Sequence, residues 1–143
     1  MTGAIFRQAN ADDIPAMSRI RLAVNENRLR DPSRITRQMY EDFLERDGRG
    51  WVAQIDDATV AFSYANRTDG SIWALFVEPG HEGRGMAKTL LALATDWLFS
   101  LGFDELKLST GSGTRADGFY ARLGWERIEG DGAEVEYVLK RAA

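Results

Sequence analysis

A chain of 143 residues, 44% apolar and 28% charged, is expected to form one domain over residues 1–143 and to bury roughly two-thirds of its unfolded surface. The lack of cysteine excludes a disulfide framework, a thiol nucleophile and a thiolate metal site, and a single histidine argues against any protein metal site. A formal net charge of −4 is opposite to the footprint of a nucleic-acid binder, and no apolar run approaches the ~18 residues of a membrane span, so the expectation is a cytoplasmic protein with neither nucleic-acid nor membrane partners.

Ile5 to Gln8 reads as a first strand, and Asn10-Ala-Asp-Asp13 reads as a helix start with carboxylates in the first turn. Ile14, Met17, Ile20 and Val24 then recur at helical steps and share one face, until the pattern dissolves in the polar loop from Asn25 to Pro32. A shorter helix is predicted over 36–46, with Met39, Tyr40, Phe43 and Leu44 on its apolar side and Gly48 to Gly50 ending it. Residues 51–55 and 59–65 read as strands joined by Asp56-Asp57-Ala58, and the turn from Asn66 to Gly70 leads into a third strand at 71–77. An antiparallel meander is the economical arrangement. Its last strand, apolar from Ile72 to Val77, suits a central position covered on both faces.

Pro79 and Gly80 stop that strand, and a helical stripe of Ala87, Leu90, Leu91, Ala94 and Leu98 runs on to Gly102. Between them, Gly83 and Gly85 allow the backbone to turn sharply and approach a ligand. The free N–H groups at the helix start then favour an anion, typically phosphate. A P-loop is excluded because Glu82 and Ala87 stand where its glycines belong, and a dinucleotide fingerprint starting at Gly83 would need glycine at Lys88. A plain strand-to-helix turn is the bland alternative. A strand at 105–109, parallel to the third because a helix connects them, completes a βαβ unit with the loop at a strand's carboxyl end. A loop from Thr110 to Thr114, a helix over 115–123 closed by Gly124, and a hairpin of 125–129 with 134–139 finish the chain. Gly118 falls inside that helix, an unusual choice costing ~1 kcal/mol against Ala. The exposed edge of the hairpin offers a pairing surface for a homodimer.

The segment Glu82-Gly-Arg-Gly-Met-Ala87 resembles the Gln/Arg-x-x-Gly-x-Gly/Ala signature of the GCN5-related N-acetyltransferases (GNAT), with Glu82 as its one departure. Ala116-Asp-Gly-Phe-Tyr120-Ala-Arg-Leu-Gly124-Trp-Glu126 resembles the second hallmark of that superfamily, in the expected order, with Gly113 where the family often has Asn. The resemblance covers nearly the whole chain. It implies an α/β (α+β) GNAT fold: a mixed, mostly antiparallel sheet of six to seven strands flanked by about four helices, its central parallel strands splayed at the acetyl-CoA site.

The resemblance also implies an N-acetyltransferase that moves acetyl from acetyl-CoA to a primary amine by direct attack, with no metal and with a small molecule or a protein amine as acceptor. The backbone of Leu75, Phe76 and Val77 would bond the pantetheine arm like an added strand, and Glu82, Gly83, Arg84, Gly85, Met86, Ala87 and Lys88 would form the pyrophosphate loop. Arg84, Lys88, Arg115 and Arg122 supply cations for the anionic CoA. Tyr120 would be the general acid, a phenol of pKa ~10 protonating a thiolate whose thiol pKa is ~8.5. As a plain core aromatic, Tyr120 would instead find a backbone partner for its hydroxyl. The general base is drawn from His81, Glu26, Glu41 and Glu78. Glu26 is preferred for its place in the loop expected beside the acceptor. Trp51 and Trp73 either line an acceptor pocket or fill the core, core being the default. Alternatives to this enzyme are a non-catalytic acyl-CoA-binding or sensor module and a transferase of another acyl group.

Overall fold

The computed structural model describes residues 4–23, 38, 41, 46–111, 116–128 and 134–141. The polar loop at 25–32 and nearly all of the helix predicted over 36–46 lie outside them.

Strand β1 (Ile5–Gln8) leads through a 3-10 turn (Ala11–Asp13) into helix α1 (Ile14–Ala23). The polar cluster caps this start as its residue types predict. Asn10 Oδ1 accepts from the Asp12 N–H at 2.9 Å, and Asp13 Oδ2 accepts from the Asn10 N–H at 2.9 Å, the reciprocal capping box. Arg7 on β1 forks onto the same carboxylate at 2.8 and 2.7 Å. Burial disfavours the Asp13 charge, but the Arg7 hydrogen bonds, the Asn10 amide and the Arg7 charge together outweigh it and hold the carboxyl below its usual range.

A seven-stranded sheet runs in the order β1-β2-β3-β4-β5-β7-β6. It comprises β2 (Gly48–Ile55), β3 (Ala58–Asn66), β4 (Ser71–Val77), β5 (Glu105–Gly111), β6 (Glu126–Ile128) and β7 (Glu134–Lys140) besides β1. All neighbours pair antiparallel except β4 and β5. The helical conformation at 46–47 stops at Gly48, as expected, and Gly48 to Gly50 also open β2, paired in register with β3: Gly48 with Asn66, Arg49 with Ala65 and Gly50 with Tyr64. Asp56 and Asp57 make the β2–β3 turn with φ of 51° and 68°, a left-handed conformation that aspartate tolerates better than most residues.

Helix α2 (Met86–Ser100) lies on one face of the sheet and α1 on the other. The predicted stripe Leu90, Leu91, Ala94 and Leu98 packs with Trp51, Ala53 and Ala61 of the meander, while Ile14, Met17 and Ile20 of α1 pack with Phe62, Tyr64, Ala74 and Phe76. Trp51 is thus a core residue, its ring edge-on to Trp97 at 5.9 Å. The far end of α2 is closed by Gly102 at φ 103°, and the Arg141 guanidinium donates to the Phe99 and Phe103 carbonyls there.

Two irregularities shape β4. Ala65 pairs Ile72 and Tyr64 pairs Ala74, so Trp73 is an extra residue with no partner on β3, a β-bulge. Beyond it the alternation is reset: Ile72 belongs to the α2 face, whereas Ala74 and Phe76 belong to the α1 face and Leu75 and Val77 pack on the α2 side. Trp73 itself stacks against Tyr64 at 5.2 Å with the Arg21 guanidinium 5.0 Å from its ring. On the other side, β4 meets β5 in register only at Ser71 with Lys107. Past that point the parallel strands part.

Candidate active site

The parted strands open onto a cavity of about 390 Å³. Leu75, Phe76 and Val77 form its strand wall. Antiparallel pairing to β3 continues along this stretch, with Ala61 opposite Val77 and the Glu78 N–H donating to the Val60 carbonyl at 2.7 Å. Toward β5, however, these residues have no register partner among the described residues. A strand edge bonded on one side only can accept an extended ligand chain on the other.

The loop from His81 to Gly85 and the first residues of α2, Met86, Ala87 and Lys88, form the floor. Gly83 and Gly85 have φ of 78° and 81°, the left-handed region that glycine enters at no steric cost. Gly85 is the N-cap of α2, makes no side-chain capping bond, and is followed by a first turn free of acidic residues. The positive end of a 15-residue helix, with a glycine N-cap and no acidic residue in its first turn, therefore faces the cavity. Arg84 and Lys88 add charge of the same sign. Glu82 opposes them; its Oε1 accepts from the Gly80 N–H at 2.8 Å and so holds the turn just before the glycine pair.

The opposite wall carries Ala116, Phe119, Tyr120 and Arg122. The predicted helix over 115–123 is shorter, α3 (Phe119–Arg122), and Gly118 is its N-cap with φ 98° instead of a mid-helix residue. The positive φ of Gly118 is not helical, so the helix starts after it, and the Gly118 N–H donates to the Tyr137 hydroxyl at 2.8 Å. Gly124 ends α3 as predicted, at φ 98°. Tyr120 is 5% exposed, with Phe119, Tyr137 and Trp125 rings around it at 5.2, 5.4 and 5.9 Å. Burial pushes its phenol well above the ordinary range, and Tyr137 adds to the effect, so Tyr120 holds its proton at any physiological pH.

The remaining candidates fall elsewhere. Arg115 and Glu26 lie outside the described residues. Glu78 sits beyond the end of β4, ion-paired to Arg19 at 3.1 Å, and neither it nor Glu41 lines the cavity. Trp51 and Trp73 do not line it either. His81 does, and its Nδ1 is buried with no hydrogen-bond partner among the described residues. Sequence reasoning weighed His81 only as a base and passed over Ala116 and Phe119 as wall residues. The usable signal was their place within the same two motifs.

The sequence profile of the acetyltransferase (GNAT) family matches residues 14–125. No curated protein sequence matches the chain. Among solved structures, the chain is similar to the PaiA N-acetyltransferase of Thermoplasma acidophilum in complex with coenzyme A, at 14% identity and TM-score 0.84, covering 97% of this chain and 99% of that one. It is also similar to a GNAT-family acetyltransferase of Staphylococcus aureus, at 17% identity and TM-score 0.83 over 96% and 99% of the two chains. The ribosomal-protein-S18-alanine N-acetyltransferase of Escherichia coli shares 15% identity at TM-score 0.74, over 99% and 97%. With the family profile spanning both the glycine loop and the Tyr120 segment on this splayed sheet, the chain belongs to the GNAT acetyltransferase family.

Proposed function

We propose that the protein transfers the acetyl group of acetyl-CoA to a primary amine by direct attack within a ternary complex. The observation that carries this reading is the meeting, in one cavity, of a helix start with a glycine N-cap, a strand edge paired on one side among the described residues, and a buried phenol. The N–H groups at the start of α2, with Arg84, Lys88 and Arg122, suit the pyrophosphate and the other phosphate of CoA. The free side of Leu75 to Val77 suits the amide-bearing pantetheine arm, and an N–H there polarises the thioester carbonyl as negative charge develops on its oxygen. Arg115, outside the described residues, adds a further cation in this assignment.

Tyr120 is the proton donor to the departing thiolate. Its raised pKa makes full transfer to a thiolate of ordinary basicity uphill, so its main contribution is a hydrogen bond that strengthens as charge gathers on sulfur. The acceptor amine enters as ammonium and must lose a proton before it attacks. Glu26 is assigned as that base because Glu78 is engaged by Arg19. With no cysteine in the chain, a thiol cannot carry the acetyl group between the two substrates.

The test is calorimetric titration with acetyl-CoA beside ATP and NAD, followed by a panel of amines with detection of released thiol. Selective binding of acetyl-CoA and amine-dependent thiol release are expected. Binding of ATP or NAD in its place would overturn the assignment of the loop, and binding without release from any amine would favour an acyl-CoA sensor.

A further inference from the structure

Helix α3 has only four residues and cannot hold itself in place. Its start is fixed from outside by side chains that are distant in sequence. The Gly118 N–H donates to Tyr137 Oη at 2.8 Å, and that hydroxyl in turn donates to Asp117 Oδ1 at 2.7 Å. Arg127 grips the same carboxylate, Nε to Oδ1 at 3.0 Å and Nη2 to Oδ2 at 3.1 Å. Tyr137 is fully buried on β7, the side chain of Asp117 is 11% exposed, and Arg127 stands on β6. A phenol from the sheet thus caps a helix whose own N-cap, glycine, has no side chain to do so. The Tyr120 ring, two positions after Gly118, packs on the Tyr137 ring at 5.4 Å.

We propose that Tyr137, Asp117 and Arg127 form a positioning unit that sets the place of the Tyr120 phenol against the sulfur of CoA. The inference rests on the reading of Tyr120 as proton donor. None of the unit is among the residues lining the cavity; the unit acts through the backbone of Gly118 and through ring contact. Tyr137 is not a second acid, because its one proton is committed to Asp117. A donor that must meet a developing charge tolerates little misplacement, and an error near 1 Å can cost a hundredfold in rate.

The experiment needs no amine. A hydrogen bond from Tyr120 favours the thiolate of bound CoA over its thiol, which lowers the pKa of the bound thiol. Binding then releases protons, and affinity rises with pH between the bound and the free thiol pKa, the latter ~8.5. Calorimetric Kd values for CoA would be measured from pH 6.5 to 9.5, each referred to an analogue carrying hydrogen in place of the thiol. A rise of roughly tenfold, equivalent to one pKa unit, is expected for the natural protein, and none for Tyr120→Phe. Tyr137→Phe, which keeps the ring and loses both hydrogen bonds, should at least halve the logarithmic rise, and Tyr120→Phe/Tyr137→Phe should match Tyr120→Phe alone. Asp117→Asn replaces Tyr137→Phe in the same comparison if the latter does not fold.

A full rise in Tyr137→Phe and Asp117→Asn, with none in Tyr120→Phe, would overturn the positioning unit and leave Tyr120 as donor. A pH dependence in the double variant that differs from that of Tyr120→Phe would overturn it too, since the unit would then act independently of Tyr120. No rise in the natural protein, or an equal rise in Tyr120→Phe, would overturn the donor reading and the unit together.

Discussion

The loop end of the cavity, from Leu75 to Lys88, is built of backbone: a one-sided strand edge, a glycine pair with positive φ, and the first N–H groups of α2. The opposite wall, from Ala116 to Trp125, is built of side chains, and its short helix is held by a phenol on β7 and an ion pair to β6. Backbone parts are encoded where they stand and depend on dihedral angles. Side-chain parts depend on residues far along the chain and on how well each donor finds its acceptor. The two ends should accordingly fail in different ways, the first in binding and the second in turnover.

The largest effect belongs to Tyr120→Phe. Once the amine panel has supplied an acceptor, kcat should fall by about a hundredfold or more while the Kd for CoA near neutral pH changes little. A variant that lost affinity and kept turnover would invert the comparison.

Gly85→Val attacks the other end. A side chain at φ 81° costs about 1–2 kcal/mol or more, and since a Cβ there meets no atom of the described residues within 4 Å, the cost is conformational and not a clash with them. Acetyl-CoA binding should weaken by about tenfold, with kcat at saturation nearly kept, as calorimetry and initial rates would show. An unaltered Kd would mean that the helix start does not meet the ligand.

Glu82→Gln is smaller and opposite in sign. The amide oxygen can still accept from the Gly80 N–H, but a negative charge leaves a cavity that also holds Arg84 and Lys88. Affinity for CoA should rise by about twofold to fivefold at low ionic strength, and the gain should shrink in 0.5 M salt. A gain that persists in salt would assign the effect to loop geometry.

Last, His81→Phe removes a buried Nδ1 that lacks a partner among the described residues. The ligand-free protein should gain about 1 kcal/mol, seen as a higher Tm. A lower Tm would show that the imidazole supports the loop.

What could be read in advance divides along the same line. The glycine loop, the stripe of α2 and the meander follow from local rules of periodicity and turn chemistry, so their residues announced them. The capping of Gly118 by Tyr137 did not announce itself. The alternation of Val135, Tyr137 and Leu139 tells only that Tyr137 faces inward, although a buried tyrosine hydroxyl does require a partner. Gly118 reads as a mid-helix residue for the same reason, whereas it is the N-cap. The bulge at Trp73 escaped as well, because an unbroken apolar strand carries no mark of where its register shifts. The roles proposed for Glu26 and Arg115, which lie outside the described residues, start from the family resemblance.

The strand order places β7 between β5 and β6, although β6 precedes β7 in the chain. On the ribosome, the glycine loop and the α2 sequence emerge while Tyr137 is still unmade, so a nascent chain carries that loop long before it can seat Tyr120. Arrested chains ending before Glu134 should leave the Phe119–Arg122 turn open to proteases, and longer ones should protect it once β7 slots in. The order of synthesis would then act as a safeguard, withholding chemistry until β7 is in place.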